Sequence, residues 1–273
     1  MSDQTLTEAG TNINTNTEAD TGADPERAYW AGWQRSWDRQ QEWYLPDREE
    51  RFRVMLDLVE AVTGPAPRVL DLACGTASIT GRLLTRLPQA SSVGVDLDPA
   101  LLAIAEGHFR AEPRLTLVTA DLREPDWTAA LPAGPFDAVL TATALHWLSA
   151  EDLLRLYRDV AGLLRPGGIF MNADHSPHPA SALLNAADRA LQRRRQAEKQ
   201  ASGVPDWSRW WQLAAADPRL AEAVAARSTL YRDHQDGATH SAEWQTARLL
   251  ESGFSEVAVP WRSLSDALVA ALR

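Results

Sequence analysis

Val69-Leu70-Asp71-Leu72-Ala73-Cys74-Gly75-Thr76-Ala77 passes from an apolar run carrying one acid, through a turn of small residues, into a helical pattern beginning at Ile79. A buried strand that ends in small residues and opens a helix lets a ligand approach backbone amides at the helix N-terminus. Downstream, short apolar runs alternate with helical periodicity. The pattern predicts a strand at Val69–Leu72, a helix at Ile79–Leu87, a strand at Ser92–Val95, a helix at Pro99–Phe109 and a strand at Leu115–Thr119. It continues with a strand at Ala138–Thr141, a helix at Glu151–Leu164, the Pro166, Gly167, Gly168 turn and a strand at Ile169–Asn172. Such alternation implies parallel strands joined by crossover helices.

Upstream, Asp24 and Pro25 read as the N-cap and first residue of a helix on which Trp30, Trp33 and Trp37 share a face. Asp47 is expected to cap a second helix whose apolar stripe is Phe52, Met55, Leu56 and Val59, ending at Gly64 and Pro65. Before Asp24 the chain has almost no large apolar side chains, too few to offset the entropy of ordering, so it reads as a disordered tail. Between Pro177 and His234 the pattern is helical and polar, an insertion expected to form a lid. Ser241 caps a last helix through Leu250, and Glu256–Trp261 with Ala267–Leu272 form a terminal hairpin. The expected fold is α/β: a Rossmann-like seven-stranded sheet, mostly parallel with a terminal antiparallel hairpin, under a helical cap. The expected divisions are a tail at 1–24, an N-terminal helical cap at 25–64, a core at 65–176, a lid at 177–236 and a final helix and hairpin at 237–273.

The whole chain limits the function classes. Its 273 residues can bury a large core, and a formal charge of -10 repels a phosphate backbone, which argues against nucleic acid. Cys74 is the only cysteine, so neither an internal disulfide nor a thiolate cluster can form, and a reducing cytoplasm is expected. No membrane span is expected. The expected state is a monomer or homodimer.

Carboxylates mark the expected ligand. Asp96 ends the second strand, where an acid accepts hydrogen bonds from both hydroxyls of a ribose, while Asp98 before Pro99 is the better helix cap. Asp121 follows the third strand, where it can accept from the exocyclic amine of adenine with Leu97 and Leu122 on the two sides of the ring.

The segments LDLACGTA, VGVDLDP, TADL, FDAVLTATALHWL and LRPGG occur here in the order of the class I S-adenosylmethionine (SAM)-dependent methyltransferases, a family the chain resembles over roughly residues 65 to 175. The TALHWL segment is similar to that of trans-aconitate methyltransferases and related natural-product enzymes. The resemblance implies SAM as cofactor, S-adenosylhomocysteine as product, and a small-molecule acceptor, possibilities including an aromatic or other secondary metabolite methylated by an SN2 step. It places Asp71, Ala73, Gly75, Thr76, Asp96, Leu97, Asp121, Leu122 and Thr141 around SAM. Ala73 and Ala77 stand where the family often has glycine, and the Ala77 methyl is expected to crowd SAM or the strand-to-helix packing. Cys74 reads as packing.

A sulfonium is an activated donor, so the protein must align the acceptor and exclude water, adding a base only where a proton must leave. His175, beside Asp174, is the first candidate, with Asp174 setting its orientation, and His146 is the second. Trp37, Trp43, Tyr44 and Trp147 are expected to touch the acceptor, though tryptophans also pack caps onto bodies. His175, His178, His234 and His240 match no common zinc spacing, so no metal is expected. The Arg193–Arg195 run reads as a solvated face. Two alternatives stay open: a SAM-binding protein that does not methylate, and a methyltransferase of protein or RNA.

Overall fold

The computed structural model describes residues 24–45, 47–178, 180–232 and 239–273. The expected tail, apart from Asp24, lies outside the described residues, as do His234 and the 236/237 boundary. Strands β1 (Arg68–Leu72), β2 (Ser91–Asp96), β3 (Leu115–Thr119), β4 (Phe136–Ala142), β5 (Leu164–His175), β6 (Glu256–Arg262) and β7 (Asp266–Leu272) form one sheet in the order β3-β2-β1-β4-β5-β7-β6. The first five are parallel, and β7 runs antiparallel to both β5 and β6. The chain reverses its direction of winding between β1 and β4, which opens a crevice at their carboxyl ends.

Strand residues alternate between the two faces. Leu70, Leu72, Val139 and Phe170 pack against Leu156 and Tyr157 of α5 (Ala150–Leu163) and Leu249 of α9 (Ala242–Glu251). On the other face Val69, Leu140 and Met171 meet Met55 and Val59 of α2 (Arg48–Thr63) and Leu83 of α3 (Ser78–Arg86). The grouping of α2 with the cap is therefore corrected: its apolar stripe completes the core of the sheet. Asp47 makes no capping hydrogen bond to α2, contrary to expectation, whereas Asp24 and Ser241 each accept one, and Asp98 two, from the helix they precede.

A third apolar cluster lies over the sheet edge. It joins α1 (Pro25–Gln41) and α4 (Pro99–His108) to α7 (Trp207–Ala216) and α8 (Ala221–Leu230) of the insertion. Trp210 stands edge-on to Trp33 and Trp37, with centroids 5.5 and 5.0 Å apart. Trp30 lies so close to Gly107 of α4 that a Cβ there would fall 2.2 Å from the indole. Most of the tryptophan pattern thus locks the cap to the body. Helix α6 (Ala182–Ala201) is mostly exposed, including Arg193, Arg194 and Arg195. Among the described residues no helix is long and apolar enough to cross a membrane.

Candidate functional site

A cavity of about 590 Å³ sits at the carboxyl ends of the parallel strands. Asp71, Asp96 and Asp121, each from a different strand or strand end, all line it. Asp71 is 1% exposed; its Oδ2 accepts from Thr80 Oγ1 at 2.8 Å, while its buried Oδ1 has no hydrogen-bond partner. Burial pushes the Asp71 carboxyl up to about 7 against the opposing bonds from Thr80. Asp96 accepts from the backbone N–H groups of Gly75 and Asp98, both at 2.7 Å, and burial pushes it up to about 6. Asp121 pairs with Arg123 at 2.6 Å, and Leu97 and Leu122 line the wall beside it.

The turn after β1 is held in an unusual backbone. Ala73, Gly75 and Ala77 have φ of +51°, +56° and +58°, a left-handed region that costs an L-residue roughly 1–2 kcal/mol. Thr143, beyond β4, is similarly placed at +56° and lines the cavity. Strain of this kind collects where function requires it. The Ala77 methyl is fully buried and does not line the cavity, which corrects the expectation that it crowds the ligand; its strain is in the backbone.

Other expected residues also fall outside the cavity wall. Thr76 is fully buried and accepts from Gln34 Nε2 of α1 at 3.0 Å, tying the turn to the cap. Thr141 is fully buried too, and the wall is supplied instead by Ala142, Thr143 and Ala144. Trp43 is buried with its indole N–H donated to the Val204 carbonyl at 3.2 Å, a packing role. Ala73, Gly75, Trp37, Tyr44 and the exposed Trp147 do line the cavity, and so does Cys74, whose thiol is pushed up by burial.

The histidines are paired differently from expectation. His146 Nδ1 lies 2.8 Å from Asp174 Oδ1, and its backbone N–H donates to the other oxygen at 3.1 Å. From His175, Asp174 accepts the backbone N–H alone, at 2.8 Å; the His175 ring instead meets Asp266, with Nδ1 2.7 Å from Oδ1. The sequence hides this because Asp266 is 91 residues away and is brought opposite His175 by the β5–β7 register. Both rings line the cavity, with centroids 5.3 Å apart. Asp174 lies behind them, off the main wall. His146, Asp174 and His175 place one metal-donor atom each within 4.8 Å, a grouping that shares only His175 with the four histidines weighed from the sequence. The Asp174 oxygens already accept three hydrogen bonds, the arrangement of a carboxylate that orients an imidazole.

Sequence reasoning missed Arg48, Arg227 and Tyr231, which line the cavity. Arg48 pairs with Asp38 at 2.8 Å and Arg227 with Asp98 at 2.6 Å. Arg48 follows the helical register of Phe52, a signal that could have placed it; Arg227 and Tyr231 had none, since the insertion carries no motif.

A family model described as a methyltransferase domain matches residues 69–168. A trans-aconitate 2-methyltransferase of Azoarcus sp. (strain BH72) is 30% identical over 212 residues, covering 77% of this chain and 78% of that protein. Another bearing that name, from Methylobacterium radiotolerans, is 32% identical over 146 residues, 52% of each chain, so the match spans about half of that relative. An O-methyltransferase family protein from Burkholderia thailandensis superposes with a TM-score of 0.54 at 18% identity, over 91% of this chain and 71% of that one, a likeness of fold.

Proposed function

Because this chain belongs to the class I SAM-dependent methyltransferases, we propose that it methylates a small, largely apolar molecule, an aromatic or other secondary metabolite, at an atom whose proton His146 removes. The observation that carries this reading is a single cavity with Asp71, Asp96 and Asp121 in its wall together with the His146–Asp174 pair.

The donor set fits the cofactor. The unpartnered, buried Asp71 Oδ1 suits the ammonium of the SAM amino-acid tail, Asp96 suits the ribose hydroxyls, and Asp121 with Leu97 and Leu122 suits adenine. Bound SAM supplies a methyl group on a positively charged sulfur. The remaining work belongs to the chain. Trp37, Tyr44, Trp147 and Trp207 line the acceptor's share of the wall and exclude water. Asp174 fixes the His146 ring in an Nδ1–H tautomer, leaving Nε2 to take a proton.

The relatives' names point to an acidic acceptor, trans-aconitate. Against a polyanion stands the pairing of the three arginines that line the cavity: Arg48 with Asp38, Arg123 with Asp121 and Arg227 with Asp98. A tricarboxylate would meet cations that are already neutralised, whereas an apolar acceptor would meet indole and leucine.

The test is transfer of a labelled methyl group from SAM into a panel of hydroxylated aromatics, trans-aconitate, and cell protein and RNA. Label in the aromatics supports the proposal; label in trans-aconitate or in macromolecules overturns the acceptor class. Bound SAM with no transfer to anything would favour a binding protein. In the productive assay His146→Ala should lower kcat by about 10²–10⁴-fold.

A further inference from the structure

His175 closes β5 and stands opposite Asp266, the first residue of β7. While Asp266 Oδ1 holds the ring nitrogen Nδ1 at 2.7 Å, Oδ2 lies 2.9 Å from Arg51 Nη2 of α2. Arg51 is 1% exposed and Asp266 3%, and the guanidinium lies over the Trp261 ring at 5.1 Å. Three elements distant in sequence therefore converge at one imidazole that lines the cavity.

A buried ion pair is a poor source of stability, because desolvation offsets its attraction and apolar side chains of the same volume often do as well. Arg51 and Asp266 lie behind the site, and the side chain that connects them to the cavity is His175. We infer that Arg51 and Asp266 are positioning residues that hold His175 as a fixed, protonated donor toward an anionic oxygen of the acceptor, leaving proton removal to His146.

This inference rests on the methyl-transfer reading above and deepens it, since it makes the acceptor a molecule with one acidic oxygen, such as a phenol or enol. The step balances: the acceptor O–H proton passes to His146 Nε2, the oxygen forms the bond to the methyl carbon, and the electrons of the broken carbon–sulfur bond stay on sulfur. His175 keeps its proton throughout. Among the described residues, Asp266 on β7, Asp174 beside it on β5, Arg51 on α2 and His146 across the cavity face it. Two carboxylates outweigh one guanidinium. The bond to Asp266 raises the His175 ring above the ordinary histidine value, against the opposing effect of burial, and Asp266 is held below its own despite burial.

The test is an NMR titration of the His175 ring in the full chain with S-adenosylhomocysteine bound, the resonance being assigned by its loss in His175→Gln. The expected midpoint lies above about 6.5. Asp266→Asn should lower it by at least about one pH unit, and Asp266→Glu should restore part of the shift. A midpoint at or below 6.5 in the native protein, or one unmoved by Asp266→Asn, overturns the inference. The native titration decides the matter even if that variant does not fold. A high midpoint in a protein that transfers no methyl group would leave the positioning assembly standing and sink the catalytic reading instead.

Discussion

Arg227 on α8 reaches Asp98, the N-cap of α4, with Nε 2.6 Å from the carboxylate. One Asp98 oxygen accepts from Ala100 and Leu101 at the start of α4, while the other takes the guanidinium, which also packs 3.9 Å from the Trp211 ring. The insertion is thus anchored to the loop that carries Asp96 and Leu97. Burial raises the Asp98 carboxyl and Arg227 opposes that rise, so removal of the cation leaves a poorly solvated acid.

Arg227→Ala should therefore loosen α8 and speed release of S-adenosylhomocysteine. The expected increase in dissociation rate is at least about tenfold, equivalent to about 1.4 kcal/mol. Stopped-flow displacement checks it, and an unchanged rate would show that α8 does not restrain the ligand.

Asp96→Ala removes the acceptor proposed for both ribose hydroxyls and also frees the Gly75 N–H that shapes the turn. Hydrogen bonds to a charged group contribute about 1.5–3 kcal/mol each, so calorimetry should find SAM binding weakened by about 10-fold or more. Unchanged affinity would take Asp96 out of the cofactor site.

Asp71, proposed for the SAM ammonium, should make binding depend on pH. Its folded-state value, about 7, is raised above the unfolded one, so the ionised form costs the free protein stability. That cost is fully present above pH 7 and is relieved as pH falls toward the unfolded value. An ammonium beside the carboxylate offsets the cost, so S-adenosylhomocysteine should raise Tm more at pH 8 than at pH 5.5. Its Kd should weaken by up to about tenfold per pH unit below 7. A pH-independent Kd, or one whose dependence survives Asp71→Asn, would contradict this assignment.

Ala77→Gly removes a Cβ from a left-handed backbone at φ +58°. The relief of about 1 kcal/mol is partly offset by the greater freedom of glycine in the unfolded chain, leaving a net rise in Tm of about 2 °C. Because the Ala77 methyl does not line the cavity, SAM affinity should not change. A fall in Tm would mean that the methyl contributes more through packing than the strained backbone costs.

The acidic part of the cavity wall, proposed for the cofactor, was the more legible part of the site because its chemistry is local. Asp71, Asp96 and Asp121 lie at or just past the carboxyl ends of parallel strands, the edge where the crevice opens. Thr141 points into the sheet core because strand residues alternate between faces, and Thr76 is turned toward Gln34 of α1, so a matching segment does not tell which side chains reach the cavity. The acceptor half was much less legible. Asp174 is adjacent to His175 in sequence yet orients His146, and Trp43 stands in the aromatic run yet only packs.

Periodicity, caps and the order of strand-end acids were enough to determine a doubly wound sheet, its terminal hairpin and the edge of that sheet where Asp71, Asp96 and Asp121 gather, because each arises from interactions within a few residues of chain. Only the tertiary structure decided which carboxylate serves which histidine, that α2 belongs to the core, and that Arg51, Arg227 and Tyr231 have any bearing on the cavity. Those relationships join residues up to 215 positions apart, as Arg51 and Asp266 are. Side-chain direction at such a distance is settled by strand register and helix packing, which the local sequence pattern does not specify.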